Sequence, residues 1–252
     1  MNITLVGTGN VALVLARLLI ASGHSVSEVW GRNLEALKQL SALTGAIIQS
    51  DLNEINKASE ICLLAVSDAA IEEVAKQINP DQTLVVHTSG ATSKMVLNRF
   101  SNFGVLYPLQ SLRKEMEQIP LIPFFIDANN ENNTKVLFRL AMSTGNSATI
   151  AGDEERLKMH LAAVFSSNFV NHLYALTEAF CKEENFDFTN LLPLIRETAE
   201  RLNFFSAVRL QTGPAIRRDN NTLQRHLQLL QSYPKLGFLY KKLTESIQDF
   251  NP

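Results

Sequence analysis

The sequence predicts an α/β protein, a doubly wound parallel sheet followed by a second, all-helical domain. Up to residue 152 short β-branched or apolar runs alternate with segments of helical spacing; from Asp153 onward the strand signal stops while helical spacing continues. A glycine pair, Gly7 and Gly9, stands between the first run and the first helical segment, in a chain with only 11 glycines among 252 residues. That is sparse against the roughly 7% of average usage, so glycine here is placed for a reason.

Ile3 to Val6 reads as a strand, Gly7 to Ala12 as a tight turn opening a helix, and Ser22-Gly23 as the stop of that helix. Val26 to Trp30 predicts a second strand, Leu34 to Leu43 a helix capped by Asn33, and Ala46 to Ile48 a third strand. Ile61 to Val66 is a continuous apolar run of the kind buried on both faces of a parallel sheet, followed by a helix from Ala69 to Gln77. Thr83 to Val86, Val105 to Tyr107, Phe124 to Ile126 and Ala148 to Ile150 supply the remaining strands. Asp153 to Glu184 then runs without Gly or Pro, and Phe188 to Phe205, Thr222 to Ser232 and Leu236 to Ile247 complete the helices, so the domains are expected at 1–152 and 153–252.

Lys+Arg 23 against Asp+Glu 25 leaves a net charge of −2 and no overall positive field for nucleic acid or an anionic membrane. The apolar stretch Val11 to Ala21 is broken by Arg17 and lacks a basic leader, so it reads as neither signal peptide nor membrane span. Cys62 and Cys181 stand far apart without a His/Cys cluster, which argues against a disulfide framework and a metal site and for a reducing cytoplasm.

Gly7-Thr8-Gly9-Asn10-Val11-Ala12 matches G-x-G-x-x-G/A. The first glycine makes the turn, the second lets the backbone approach a pyrophosphate, and the small third residue permits helix–strand packing. Alone the motif equally describes a tight turn; with a strand before and a helix after, it predicts a dinucleotide cradle. The ribose-reading position after the second strand holds Arg32 and Asn33 in place of an acid, and Glu28 lies inside the strand. A guanidinium suits a 2′-phosphate, so NADP is expected over NAD. The bland alternative is a solvated loop charge.

Ligands of an open α/β sheet lie beyond the carboxyl ends of its strands. That rule selects Val66-Ser67-Asp68, His87-Thr88-Ser89-Gly90 and Tyr107 to Ser111. Val66, Ser67 and His87 are assigned to the cofactor and Ser89 to the substrate, although Ser67 could cap a helix and His87 could satisfy a strand end. On the long helix Lys158, His160, Ser167, Asn168, Asn171 and His172 interrupt apolar sequence, and His160, Val164, Ser167 and Asn171 share a face at regular helical spacing. An interhelical hydrogen-bond network is the competing reading. Lys158 and His160 are candidate proton donors, with His160 preferred, and Ser89 and Asn168 candidate anchors in a cleft expected between the two domains. In Thr212 to Asp219, the last residue or Asn220 is expected to cap the next helix.

Gly7 to Ala12, His87-Thr88-Ser89-Gly90, Tyr107-Pro108-Leu109-Gln110, His160-x-Ala162-Ala163 with Ser167-Asn168, and Thr212-Gly213-Pro214-x-x-Arg217-x-Asp219 together resemble one family. It is the NADP oxidoreductases with a Rossmann-like N-terminal half and a C-terminal domain of unknown function 2520. More distantly the chain is similar to pyrroline-5-carboxylate reductase, 3-hydroxyisobutyrate dehydrogenase and the deazaflavin-dependent NADP reductases. The resemblance implies NADP, a small-molecule substrate, and a helical domain of the 6-phosphogluconate dehydrogenase C-terminal type that builds a homodimer. Two departures stand out: Ala162 replaces the asparagine of the Lys-x-x-x-Asn pair of hydroxyacid dehydrogenases, and Arg218 stands where this family is expected to hold a glycine. The expected function is hydride transfer between nicotinamide and a small carbonyl, imine or hydroxy compound. The alternative is an NADP-binding sensor or scaffold without turnover.

Overall fold

The computed structural model describes residues 1–55, 58–79, 83–144 and 147–250. Two compact units divide the chain, Met1–Phe169 and Val170–Pro252. The first contains strands β1 (Asn2–Val6), β2 (Ser25–Trp30), β3 (Ile47–Ile48), β4 (Ile61–Leu64), β5 (Leu84–His87), β6 (Phe103–Pro108), β7 (Phe124–Ala128) and β8 (Ala148–Ile150). Their order in one sheet is β3-β2-β1-β4-β5-β6-β7-β8. Because β1 pairs with both β2 and β4, all in parallel, the chain departs from β1 in two directions and leaves a crevice beyond its carboxyl end. The central strands are buried on both faces, as the unbroken run Ile61 to Leu64 requires.

Helices α1 (Asn10–Ala21), α2 (Leu34–Thr44), α3 (Ile71–Gln77) and α4 (Glu131–Ser143) accompany the sheet. Asn33 accepts the Ala36 N–H as the cap of α2, and Gly45 ends that helix at φ 72°, a left-handed turn that glycine adopts without a Cβ penalty. The sheet departs from the expected all-parallel pattern at β6 and β7, which pair antiparallel. No helix lies between Pro108 and Phe124, and a parallel return needs a crossover connection, usually helical. Helix α4 was not legible in its polar opening Glu131-Asn132-Asn133-Thr134-Lys135; Asn130 caps it and Leu137, Leu140 and Ala141 bury its core face.

Helix α5 (Asp153–Ala163) begins where the strand pattern ends. It groups with the sheet unit because its first turn is tied to the loop after β5: Asp153 accepts from the Ser93 hydroxyl and from Lys94 N at 3.1 Å, and the buried Arg156 donates to Thr92 O at 2.6 Å and Asp153 Oδ1 at 2.7 Å. A π-helical turn, Val164–Asn168, follows without a break and leads into α6 (Phe169–Glu183).

The second unit continues through α7 (Leu192–Glu200), α8 (Ala207–Leu210), α9 (Asn220–Leu229) and α10 (Pro234–Phe250). Asp219 caps α9 by accepting from Thr222 N at 3.1 Å. Arg218 sits just before it at φ 52°. That left-handed conformation is the one a glycine would take freely, which accounts for the glycine expected there.

Candidate functional site

A cleft of about 480 Å³ opens at the carboxyl ends of β1, β2 and β4, lined by Gly7, Gly9, Trp30, Arg32, Val66 and Ser67 among others. Gly7 is imposed by the fold: at φ +129° a Cβ would lie 2.2 Å from Ala65 O, so β1 and β4 close on each other only around a glycine. Gly9 differs. Its φ is −82° and a Cβ would meet nothing within 4 Å, so the chain itself does not demand glycine there. The space beside it belongs to the cleft. No side chain caps α1 and no acid stands in its first turn, which leaves its positive end and free N–H groups available to an anion. Arg32 is exposed at the tip of β2, while Glu28 is buried and accepts from Thr4 Oγ1 at 3.3 Å, away from the ribose position. These residues fit a dinucleotide diphosphate and a 2′-phosphate.

Val11 also lines a second cleft of about 480 Å³, whose wall is built from Thr88 after β5, Tyr107 to Ser111 at the end of β6, and Met159, His160, Ser166, Ser167 and Asn168. All of these belong to the Met1–Phe169 unit. Tyr107 Oη lies 3.0 Å from His160 Nδ1, and the two rings meet edge to face with centroids 5.8 Å apart. Burial, and then the negative charge of Asp68, raise the Tyr107 hydroxyl above the usual tyrosine range.

Of the residues expected at the cofactor, Gly7, Thr8, Gly9, Asn10, Val11, Arg32, Asn33, Val66 and Ser67 line the first cleft. Two of them have prior engagements, since Asn10 Oδ1 accepts from Lys114 N at 3.2 Å and Asn33 Oδ1 caps α2. Ser67 makes no capping bond to the short turn it precedes, so its hydroxyl is left to the cleft. His87 is displaced from the expected role. It is fully buried, lines neither cleft, and accepts the Ser89 N–H on Nδ1 at 3.2 Å.

Of the expected catalytic residues, His160 and Asn168 line the second cleft, and Lys158 and Ser89 do not. Lys158 points to solvent and pairs with Glu154, one turn back on α5, its side chain 71% exposed. Ser89 is buried and turned inward: its hydroxyl accepts from Ala91 N and Thr92 N and donates to Thr92 Oγ1. Of the expected seam, His160, Val164 and Ser167 line the cleft with Asn168 beside them, the wider π turn adds Ser166, and Asn171 is not part of the lining. Tyr107 fell within a segment the strand-end rule selected, yet its partnership with His160 spans 53 residues and leaves no local mark in sequence.

Residues 2–90 match the family described as NADP oxidoreductase, coenzyme F420-dependent, and residues 122–247 match the domain of unknown function 2520. A Bacteroides fragilis structure, provisionally described as an NADP oxidoreductase, is 34% identical, with 98% of each chain covered and a TM-score of 0.90. A 1-pyrroline-5-carboxylate reductase from Streptococcus pyogenes is 14% identical, with 99% of this chain and 98% of that one covered and a TM-score of 0.65. A reductive aminase from Aspergillus terreus, in complex with NADPH and ethyl levulinate, is 12% identical, covers 99% and 94%, and has a TM-score of 0.73. At those two identities the likeness is one of fold. A glycerol-3-phosphate dehydrogenase of Limosilactobacillus reuteri is 29% identical over 107 residues, 35% of this chain; the match spans 31% of that curated relative's length.

Proposed function

The chain belongs to the NADP oxidoreductase family that ends in the domain of unknown function 2520, and on that premise we propose that it moves a hydride between NADP(H) and a small carbonyl, imine or hydroxy compound. The observation that carries this reading is the first cleft, where the turn at Gly7 and Gly9, the uncapped start of α1 and Arg32 surround one space. The nicotinamide group supplies the hydride when bound. The chain's part is to hold the diphosphate on the backbone N–H groups of the turn, to read the 2′-phosphate through Arg32, and to place the substrate in the second cleft. There Asn168 and Thr88 offer hydrogen bonds and His160 offers a proton to the developing alkoxide or amine.

Cys62 and Cys181 are both buried and neither is in a disulfide, which suits a reducing cytoplasm, the compartment we assign. We further assign a homodimer formed through the helical half. Calorimetric titration with NADP and NAD tests the cofactor. A charge-assisted hydrogen bond contributes about 1.5–3 kcal/mol, so Arg32→Ala is expected to weaken NADP by about tenfold to a hundredfold and leave NAD unchanged. Equal loss for both cofactors overturns the assignment of Arg32. NADPH oxidation over small ketones, ketoacids and cyclic imines tests the reaction, and NADP binding without turnover of any of them would favour a sensor.

A further inference from the structure

Tyr107 is the next-to-last residue of β6, with only 8% of its surface exposed, packed beside Phe125 and across the edge of His160. The contact is enforced from a third side. A Cβ on Gly90 would lie 2.7 Å from Tyr107 Cζ and 2.8 Å from His160 Nδ1, so a glycine after β5 is what lets the two rings meet. A phenol buried in this way keeps its proton at neutral pH, and it then has an O–H to donate. His160 Nδ1 is the atom it faces, 3.0 Å away, and the other ring nitrogen, Nε2, takes no part in that bond. The same imidazole lines the second cleft.

We propose that Tyr107 donates to Nδ1 of His160 and holds the ring with its proton on Nε2, making the pair a proton relay into the second cleft. This rests on the hydride-transfer reading above. As a carbonyl carbon accepts a hydride from the nicotinamide, the Nε2–H bond breaks and an O–H bond forms on the substrate oxygen. The Tyr107 O–H bond breaks in turn and its proton forms a new Nδ1–H bond; the pair resets when a solvent proton enters at Nε2 from the cleft and the Nδ1 proton returns to the phenolate. His160 is the catalytic residue that touches substrate; Tyr107 acts through it as a positioning residue and proton source.

The test has two independent readouts. Nitrogen NMR of ring-labelled histidine in the intact, ligand-free protein, at a pH where His160 is neutral, is expected to show the Nε2–H tautomer dominant. Tyr107→Phe, which keeps the ring and removes the hydroxyl, is expected to give a mixture of both tautomers. Dominance of the Nδ1–H form in the parent, or an unchanged tautomer in the variant, overturns the proposal. On turnover, Tyr107→Phe is expected to lower kcat by about a hundredfold with NADP affinity unchanged, and parental kcat in the variant overturns the relay. Should no compound be reduced, the hydride-transfer reading fails on its own measure, while the tautomer still decides the role of Tyr107.

Discussion

Single residues already separate what the fold needs from what a ligand needs. Gly7 has a backbone oxygen where its side chain would be and Gly9 has open space, yet both read as the same letter of one motif. His87 shows the opposite confusion, because a histidine at a strand end looks like a ligand group in sequence and is core in the structure. Its ring, fully buried and next to the charge of Arg156, is pushed down to about 4, with burial the larger cause. The folded protein therefore keeps His87 neutral at pH values where the unfolded chain, near the ordinary 6.5, takes up a proton. This penalty is absent above about pH 6.5 and grows as pH falls toward 4, so stability declines with acid through that window. Between pH 7 and pH 5 it amounts to about 2 kcal/mol. Urea unfolding at those two pH values is expected to show a decline smaller by that amount in His87→Asn, whose amide oxygen can still accept the Ser89 N–H. Identical declines would refute the assignment.

Elements were legible where one period ran unbroken. The apolar run of β4 and the helix of α1 follow directly from their patterns. The antiparallel turn of the sheet at β7 and the extra residue of the π turn are set by tertiary packing, so periodicity carries no trace of them. That π turn is why Ser166 reaches the second cleft and the seam toward Asn171 does not continue along it. The start of α5 makes the same point in energetic terms. Arg156 is 1% exposed, with Nε and Nη1 lacking a hydrogen-bond partner among the described residues, so Asp153 is the countercharge that makes its burial tolerable. Arg156 lies one turn before His160 on α5, so this clasp anchors the helix that carries the ring proposed as proton donor. Asp153→Ala is expected to cost about 3 kcal/mol in urea unfolding, because it strands a buried cation. Adding Arg156→Met, which removes that cation, should recover part of the loss. A double variant less stable than Asp153→Ala alone would show that the pair is not the reason.

At the scale of the whole molecule, the two units bury very different amounts of apolar surface. The sheet unit has a continuous core running from Ile3 to Ala141 in sequence. In Val170–Pro252 the buried apolar residues among those described are Cys181, Ala215 and Leu223, whereas Phe186, Leu194, Phe204, Phe205, Phe238 and Phe250 are exposed. Helices with this much uncovered apolar surface are expected to bury it against another chain. One groove of about 390 Å³ on this unit is lined by Leu176, Pro234, Phe238 and Leu239, and it supplies a place to test the expectation. A second copy of the chain is the simplest occupant, and two-fold symmetry presents each contact residue twice. Burying a Phe side chain is worth about 1.5–3 kcal/mol, so losing it twice weakens association by about a hundredfold or more. Light scattering of the intact protein at micromolar concentration is expected to give twice the chain mass. Phe238→Asp is expected to shift that population to single chains without changing NADP affinity, because Phe238 lines neither cleft of the sheet unit. Single chains in the parent would remove the homodimer, and a dimer undisturbed by Phe238→Asp would move the interface to another face of the helices.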